Sequence, residues 1–221
     1  MSVNNVVLNG AKLMEQVARR VDEPKRRREI LAEAGRMFLE KGLQATTMRE
    51  LARALDLDAG SLYRYFPSKG GIFAAMAKET NEHIACVLDA AIKNASDADD
   101  VVHLAFAQYV KLVDRYSDYY RLFYRCFDGL PRDLWGVLLD GERGVVGVFE
   151  GLLKENGFSS EDAHTLAWDI VLLGEMWAIK RWAFERSMDV ETFIATQWRV
   201  ASAAMAAFGG SSVSKSGGVE A

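Results

Sequence analysis

The stretch AGSLYRYF at residues 59–66 constrains the fold most, because its flanks allow only a short helix there. Asp58 stands directly before the stretch and is a favoured N-cap residue. Pro67 ends the helix, since a proline disfavours helical geometry in the residue before it. A helix this short is unstable in water by itself. The sequence therefore predicts that neighbouring helices pack against it.

Helix signals are present on both sides of this stretch. Thr47 and Glu50 in TTMRELARALD have the spacing of a capping box, in which each side chain bonds an orphan amide of the first turn. Residues 25–41 carry apolar side chains at three- and four-residue spacing, and Gly42 is a natural helix stop. Ser68 is placed to cap a long helix after the proline.

The remainder of the chain also has helical periodicity, and no segment alternates with a period of two for long enough to predict a sheet. We expect a helix from Pro131 to Gly157, one continuous helix over residues 160–187, and a last long helix over residues 189–208. The predicted fold is all-α with about nine helices.

Charge is distributed unevenly along the chain. Residues 1–70 carry 13 Lys and Arg against 9 Asp and Glu, whereas residues 71–221 carry 14 against 22. A basic N-terminal third predicts that only this part meets a polyanion. Cys86 and Cys126 lie in apolar helical patterns and give no disulfide framework. With no signal peptide and no membrane-spanning run, the sequence predicts a cytoplasmic protein without a membrane partner.

Three short helices, the last two joined by a tight turn, describe a helix-turn-helix unit. The first helix of the pair offers its N-terminal amides and the Thr47 hydroxyl to a phosphate. On the second helix, Ser61 and Arg64 can bond a base edge or a phosphate, and Tyr63 can donate its hydroxyl to a phosphate. Lys69 adds positive charge beside the start of the following helix.

The apolar residues of the second helix predict which of its faces is buried. Leu62 and Phe66 share a helix face and are expected in the core. Tyr65 is left open between the core and a DNA contact. The basic residues before the first helix, Arg19, Arg20 and residues 25–28, are either an arm that reaches DNA or a solvated basic run.

The motifs F…KG…TTM.ELA and GSLYRYFPSK, within about residues 25–75, resemble the DNA-binding pattern of the TetR family of bacterial transcriptional regulators. The resemblance implies a homodimer that reads a palindromic double-stranded DNA operator, and a C-terminal domain that binds a small inducer. No cofactor is expected. Operator contacts carried over by position are Thr47, Ala59, Gly60, Ser61, Tyr63, Arg64, Tyr65 and Lys69. The family often has Ala-Gly where Leu55 and Asp56 stand; Asp tolerates left-handed geometry, so the turn is expected to form. Where Ala59 stands the family often has a polar residue, so one contact is expected to be missing.

The predicted organisation follows from these signals. Residues 1–24 are a flexible arm, residues 25–70 the helix-turn-helix DNA-binding domain, residues 71–208 an effector-binding and dimerisation domain, and residues 209–221 a flexible tail. By the resemblance, the last two long helices form the dimer interface.

The C-terminal part is rich in aromatic residues, most of which are expected in the core or in the dimer interface. The remainder predict a pocket for a large apolar effector, fatty acyl or acyl-CoA-like, or alternatively an aromatic or drug-like compound. The candidate effector residues are Phe106, Tyr109, Phe123, Tyr124, Phe127, Trp177 and Arg181.

Two other classes of protein compete with a regulator. An enzyme is disfavoured, because the three histidines are far apart and no paired carboxylates or metal motif accompany them. His83 and Cys86, three residues apart on a helix, are half of a metal site at most and more often core. A non-sequence-specific architectural DNA binder would be basic throughout and would not need an acidic aromatic domain.

Overall fold

The structure is a computed structural model and describes residues 25–94, 100–126, 130–184 and 187–209. These residues form ten α-helices and one 3-10 helix and contain no strand, which confirms the all-α prediction. The helices are α1 (Lys25–Lys41), α2 (Met48–Ala54), α3 (Ala59–Tyr65), α4 (Lys69–Lys93), α5 (Val101–Arg115), α6 (Ser117–Cys126), the 3-10 helix (Arg132–Leu134), α7 (Trp135–Glu155), α8 (Ser160–Ile179), α9 (Arg181–Phe184) and α10 (Val190–Ala207). Within these ranges no helix is long and apolar enough to cross a lipid bilayer.

The chain divides into two compact units. The first unit comprises the described residues up to His83 together with Tyr116–Glu142, and the second comprises Ile84–Arg115 together with the described residues from Arg143 onward. The first unit therefore contains α1 to α3, most of α4 and all of α6. The domain boundaries expected from the sequence stay a prediction.

The core of the first unit is built on phenylalanine rings from three helices. The Phe73 ring lies 6.4 Å from Phe38 and stacks on Phe123 at 6.2 Å, between ring centroids. Leu62 and Phe66 are buried as predicted, with 0% and 4% of their surface exposed. Burial of these side chains holds the short helix α3 in place, because it has too few residues to be stable alone.

Most predicted helix ends are confirmed. Gly42 and Gly157 have φ angles of +87° and +88°, the left-handed geometry that glycine adopts after a helix. The Ser68 hydroxyl accepts a hydrogen bond from the Gly71 amide at 3.0 Å. Pro131 does not start an α-helix directly: it precedes the 3-10 helix, and α7 begins at Trp135.

The continuous helix expected over residues 160–187 is wrong. Helix α8 ends at Ile179, Lys180 has φ −110° and ψ 19°, and the separate four-residue α9 follows. At this break the Trp177 indole and the Arg181 guanidinium both donate to Asp114, at 2.6 Å and 2.9 Å. These tertiary hydrogen bonds override the local helix preference, which continues through the break.

Gly174 leaves room for a buried tyrosine ring in the second unit. A Cβ atom on Gly174 of α8 would lie 2.7 Å from the ring of Tyr109 on α5. Tyr109 is fully buried and its hydroxyl donates to the buried Glu175 carboxylate at 3.1 Å. The ring is therefore fixed by packing and by a hydrogen bond, so it cannot move aside cheaply.

Replacing Gly174 with alanine is expected to destabilise the protein by about 1–3 kcal/mol, the usual cost of overpacking a core. Urea unfolding followed by circular dichroism measures the change. Gly147→Ala is the matched control, since a Cβ there meets nothing within 4 Å beyond its own stretch of α7. The higher helix propensity of alanine should stabilise α7. An equal response of the two variants would contradict the steric explanation.

Candidate nucleic-acid interface

The predicted capping box at the start of α2 is confirmed. The Thr47 hydroxyl oxygen accepts from the Glu50 amide at 3.2 Å, and the Thr47 amide donates to the Glu50 carboxylate at 3.1 Å. The Thr47 hydroxyl also donates to that carboxylate at 2.9 Å, and these bonds lower the pKa of Glu50. Thr47 is exposed, so the first turn of α2 lies at the surface of the unit with its cap already formed.

The turn between α2 and α3 has the expected left-handed residue. Asp56 has φ 57° and is the single non-glycine with positive φ among the described residues. The Leu57 amide donates to the Ala52 carbonyl at 2.8 Å, which closes the end of α2. Arg26 of α1 donates to the Leu55 carbonyl at 2.6 Å, so the turn is also held from a third helix.

Helix α3 starts with a capped and exposed N-terminus. The Asp58 carboxylate accepts from the Ser61 amide at 2.8 Å and from the Ser61 hydroxyl at 2.5 Å. The Arg64 guanidinium in turn donates to the Ser61 hydroxyl at 3.2 Å. Gly60 is exposed and Ala59 is half-buried, so the backbone of this first turn is accessible to a large partner.

The exposed side of α3 carries the residues with hydrogen-bonding and stacking capacity. Tyr63 and Tyr65 are 50% and 38% exposed, and Arg64 is also exposed. Tyr65, which the sequence left open between core and contact, therefore lies on the exposed side. The helix presents two phenol rings and a guanidinium outward while Leu62 and Phe66 point into the core.

The Lys69 ammonium, predicted to bind a phosphate, donates hydrogen bonds to backbone carbonyls of the protein. Its Nζ donates to the Gln44 carbonyl at 2.8 Å and to the Thr46 carbonyl at 3.2 Å. Both acceptors belong to the segment that leads into α2. No sequence pattern predicts this contact, because the partners are 25 and 23 residues away.

Two basic residues that the sequence reasoning missed lie on the same unit. Arg49 and Arg53 are exposed on α2, four residues apart, and line a cleft of about 490 Å³ with Asp56 and Ala59. Residues four apart lie on one helix face, so this basic pair could have been found opposite the apolar face of α2.

The basic run at the start of α1 has an internal role in the described residues. Arg27 forms an ion pair with Glu79 at 2.5 Å and lies 5.0 Å from the centre of the Phe66 ring. Arg26 binds Glu29 at 2.6 Å besides the turn carbonyl. Arg19 and Arg20, the other basic residues expected in an arm, lie outside the described residues.

Acid is expected to weaken the cap of α3. The pKa of the Asp58 carboxyl lies below its ordinary value of 3.8, because the Ser61 hydroxyl and the Ser61 amide both donate to it. A carboxyl with a lower pKa in the folded state stabilises the fold fully above its unfolded pKa, and this contribution is lost as the pH falls through the folded pKa. The difference in unfolding free energy between the protein and Asp58→Asn should therefore shrink as the pH falls from about 5 to about 2. Urea unfolding across this range measures it, and a difference independent of pH would contradict the cap.

The predicted effector residues fall in both units. Phe106, Tyr109 and Trp177 are buried in the second unit, where Arg181 pairs with Asp114. In the first unit, Phe123 is buried and Tyr124 is 37% exposed. Phe127 lies outside the described residues.

The candidate metal pair gains no further ligand in the described part of the chain. No group of three or more His, Cys, Asp or Glu side chains there is placed to hold a metal ion. The His83 ring lies 6.1 Å from the Tyr116 ring, and Cys86 is exposed.

A capped α2, a left-handed turn and an α3 that exposes Tyr63 and Arg64 define a helix-turn-helix DNA-binding protein. The family model described as "Bacterial regulatory proteins, tetR family" matches residues 30–76. The HTH-type transcriptional repressor KstR2 of Rhodococcus jostii (strain RHA1) is 30% identical over 172 residues, which are 71% of this chain and 79% of that protein. The chain belongs to the TetR family and is a transcriptional regulator, not an enzyme.

Other relatives agree with this assignment. The HTH-type transcriptional regulator HbdR of Aromatoleum sp. (strain CIB) is 28% identical over 178 residues, covering 77% of this chain and 78% of that protein. A tetR-family regulatory protein from Rhodococcus RHA1 has a similar structure, with TM-score 0.63, 24% identity, and coverage of 86% of this chain and 100% of that one. FadR from Bacillus subtilis, solved with stearoyl-CoA, has TM-score 0.64 at 15% identity, covering 78% of this chain and 96% of that one. The two solved structures support the fold.

Proposed function

We propose that the protein is a repressor that binds a palindromic DNA operator as a homodimer and leaves it when a small hydrophobic effector binds. The observation that carries the proposal is the exposed face of α3, where Tyr63 and Arg64 extend from a helix whose other face is buried. A helix presented in this way fits the major groove, and a dimer would place two such helices in successive grooves.

Each exposed residue of the interface has a role that its chemistry supports. Arg64 reads a guanine edge with its planar guanidinium, and Tyr63 and Tyr65 donate hydroxyls to phosphates. The Ser61 hydroxyl, already bonded to Asp58, reaches a phosphate or a base from the first turn of α3. The accessible backbone at Ala59 and Gly60 allows close approach. Thr47 offers the start of α2 to a phosphate.

The missed basic pair extends this surface. Arg49 and Arg53 are exposed and supply positive charge beside the turn. Arginine–phosphate contacts release counterions from DNA and raise affinity for any sequence. In this proposal Arg49 and Arg53 raise affinity for any DNA sequence, and the side chains of α3 select the operator sequence.

The dimer is proposed to form through α8 and α10, the last two long helices. Their exposed sides include large apolar residues: Leu172 is 47% exposed and Val200 is 51% exposed. Ala203 and Ala207 follow Val200 on α10 at helical spacing and would let two helices approach closely. Apolar surface of this kind favours association, because burial removes it from water.

The effector is proposed to be hydrophobic, because the second unit is rich in buried aromatic and aliphatic side chains such as Phe106 and Trp177. Fatty acyl and acyl-CoA-like compounds are the first candidates, and aromatic or drug-like compounds the second. Arg181, considered as a partner for an effector carboxylate, is already paired with Asp114, and Glu175 is buried beside Tyr109. The paired guanidinium and the buried carboxylate both favour an effector whose bound part carries no charge.

Selection from a pool of random duplexes tests the proposal. The purified protein should enrich a palindrome with half-sites about one helical turn apart. It should bind that palindrome at least about 1,000-fold more tightly than random duplex, as specific regulators do. Sedimentation should give a dimer on one duplex. Equal affinity for all duplexes would instead indicate an architectural DNA binder.

Mass spectrometry of molecules extracted from the purified protein tests the effector. A hydrophobic compound that elutes with the protein and lowers affinity for the selected palindrome is the expected result. The recovery of small polar molecules alone, active in the same assay, would contradict the hydrophobic effector.

A further inference from the structure

We propose that Lys69 is a positioning residue, which holds the start of α2 against the start of α4 so that both DNA-facing helices move with α4 as one body. The inference rests on the proposed operator binding and changes the role of one predicted contact: the ammonium group binds the protein backbone rather than a DNA phosphate. Its evidence is the pair of hydrogen bonds from Lys69 Nζ to the Gln44 and Thr46 carbonyls.

The segment that Lys69 holds leads directly into α2. It begins at Gly42, where α1 has ended, and it reaches Thr47, the N-cap of α2. Thr46 is 1% exposed and its hydroxyl donates to the Gly42 carbonyl at 2.9 Å. The segment is therefore fixed to the end of α1 by Thr46 and to the start of α4 by Lys69.

The start of α4 is already joined to α3 through a short covalent connection. Phe66, the residue after α3, donates its amide to the Leu62 carbonyl at 3.1 Å, and Ser68 caps α4. Only residues 66–68 separate the two helices. The first turn of α4 is thus linked to α3 by the covalent chain. It is linked to the start of α2 by the hydrogen bonds of Lys69, whose acceptors lie 23 and 25 residues earlier in the sequence.

This closed set of links has a consequence for regulation. A tilt of α4 displaces α3 directly. Without the Lys69 hydrogen bonds, the start of α2 is free to keep its old position and lose its place relative to α3. Specific binding needs both helices in their places at once, whereas non-specific binding needs only positive charge near phosphates. A positioning role therefore affects the specific complex selectively. A phosphate contact affects both complexes alike.

The test compares Lys69→Met with Lys93→Met in the full chain, on the palindrome selected by the wild-type protein and on random duplex. Lys93 is an exposed lysine at the far end of the same helix, so the control makes the same charge change. For Lys69→Met we expect about a 10-fold or larger loss of affinity for the palindrome, random-duplex affinity within about twofold, and an unchanged slope of log K against log salt. Lys93→Met should change none of the three.

Two results would overturn the positioning role. A phosphate contact would lower the salt slope by about 0.9 for each subunit and weaken both complexes together. Unchanged affinity for the palindrome would remove Lys69 from the interface altogether. Lys69→Gln guards against a folding defect: it loses the charge but keeps a donor, so it should bind the palindrome more tightly than Lys69→Met with the wild-type salt slope.

Hydrogen exchange tests the same inference without DNA. The amides of residues 47, 50 and 51, which are hydrogen-bonded at the start of α2, should exchange at least about 10-fold faster in Lys69→Met than in the wild type, because opening of α2 is no longer restrained from α4. Lys93→Met should leave them unchanged. If no duplex is preferred by the wild-type protein, the proposed function fails, and this exchange result still decides the role of Lys69; equal exchange rates in all three proteins would refute it.

Discussion

Replacing Tyr63 and Arg64 together with alanine is expected to lower affinity for the selected operator by at least about 100-fold. A bidentate contact to a base contributes about 1–3 kcal/mol of discrimination, and a dimer loses the contact twice. Tyr63 is 50% exposed and Arg64 is exposed, so their truncation leaves no cavity in the core. The loss should therefore appear in binding and not in folding.

Fluorescence anisotropy with a labelled operator measures this loss, and thermal unfolding followed by circular dichroism checks the fold. Arg132→Ala is the matched control, because it removes an exposed arginine from the same unit at a position outside the helix-turn-helix. It should leave operator affinity within about twofold. If the double variant kept wild-type affinity, α3 would not be the recognition helix.

The helix-turn-helix was predictable because its signals are local. Thr47 and Glu50, Asp58 and Pro67 each act within three residues of a helix end, and such pairs can be read directly from a sequence. The left-handed Asp56 was expected through the family resemblance, because it stands where the family often has glycine and Asp tolerates that geometry. Local chemistry therefore located the helices of the helix-turn-helix and most of their boundaries.

Contacts between distant residues could not be predicted in this way. Lys69 looked like a phosphate ligand from its place at a helix start, but its partners are carbonyls in an earlier segment. The sequence left Arg27 open between an arm that reaches DNA and a solvated basic run, but Arg27 pairs with Glu79, 52 residues later. Backbone carbonyls and side-chain partners at such distances carry no sequence pattern. For the same reason the break at Lys180 escaped detection, since its cause lies at Asp114 on another helix.

Replacing Leu62 with alanine is expected to abolish operator binding although Leu62 does not face DNA. It is fully buried and is the single buried residue within α3. Truncation of a buried leucine to alanine costs about 2–5 kcal/mol, a large part of the total stability of a small unit. Because seven residues are too few to form a stable helix alone, this loss falls first on α3 itself.

Hydrogen exchange of the α3 amides and operator anisotropy, measured on the same samples, separate the two possible causes of lost binding. In Leu62→Ala the amides should exchange faster and affinity should fall in parallel, because only the folded helix can enter the groove. Leu62→Met, which nearly conserves volume, should cost less than about 1.5 kcal/mol and keep both properties close to wild type. If Leu62→Ala exchanged its α3 amides fast but kept wild-type affinity, DNA would fold the helix as it binds. Packing by Leu62 would then stabilise the free protein without controlling recognition.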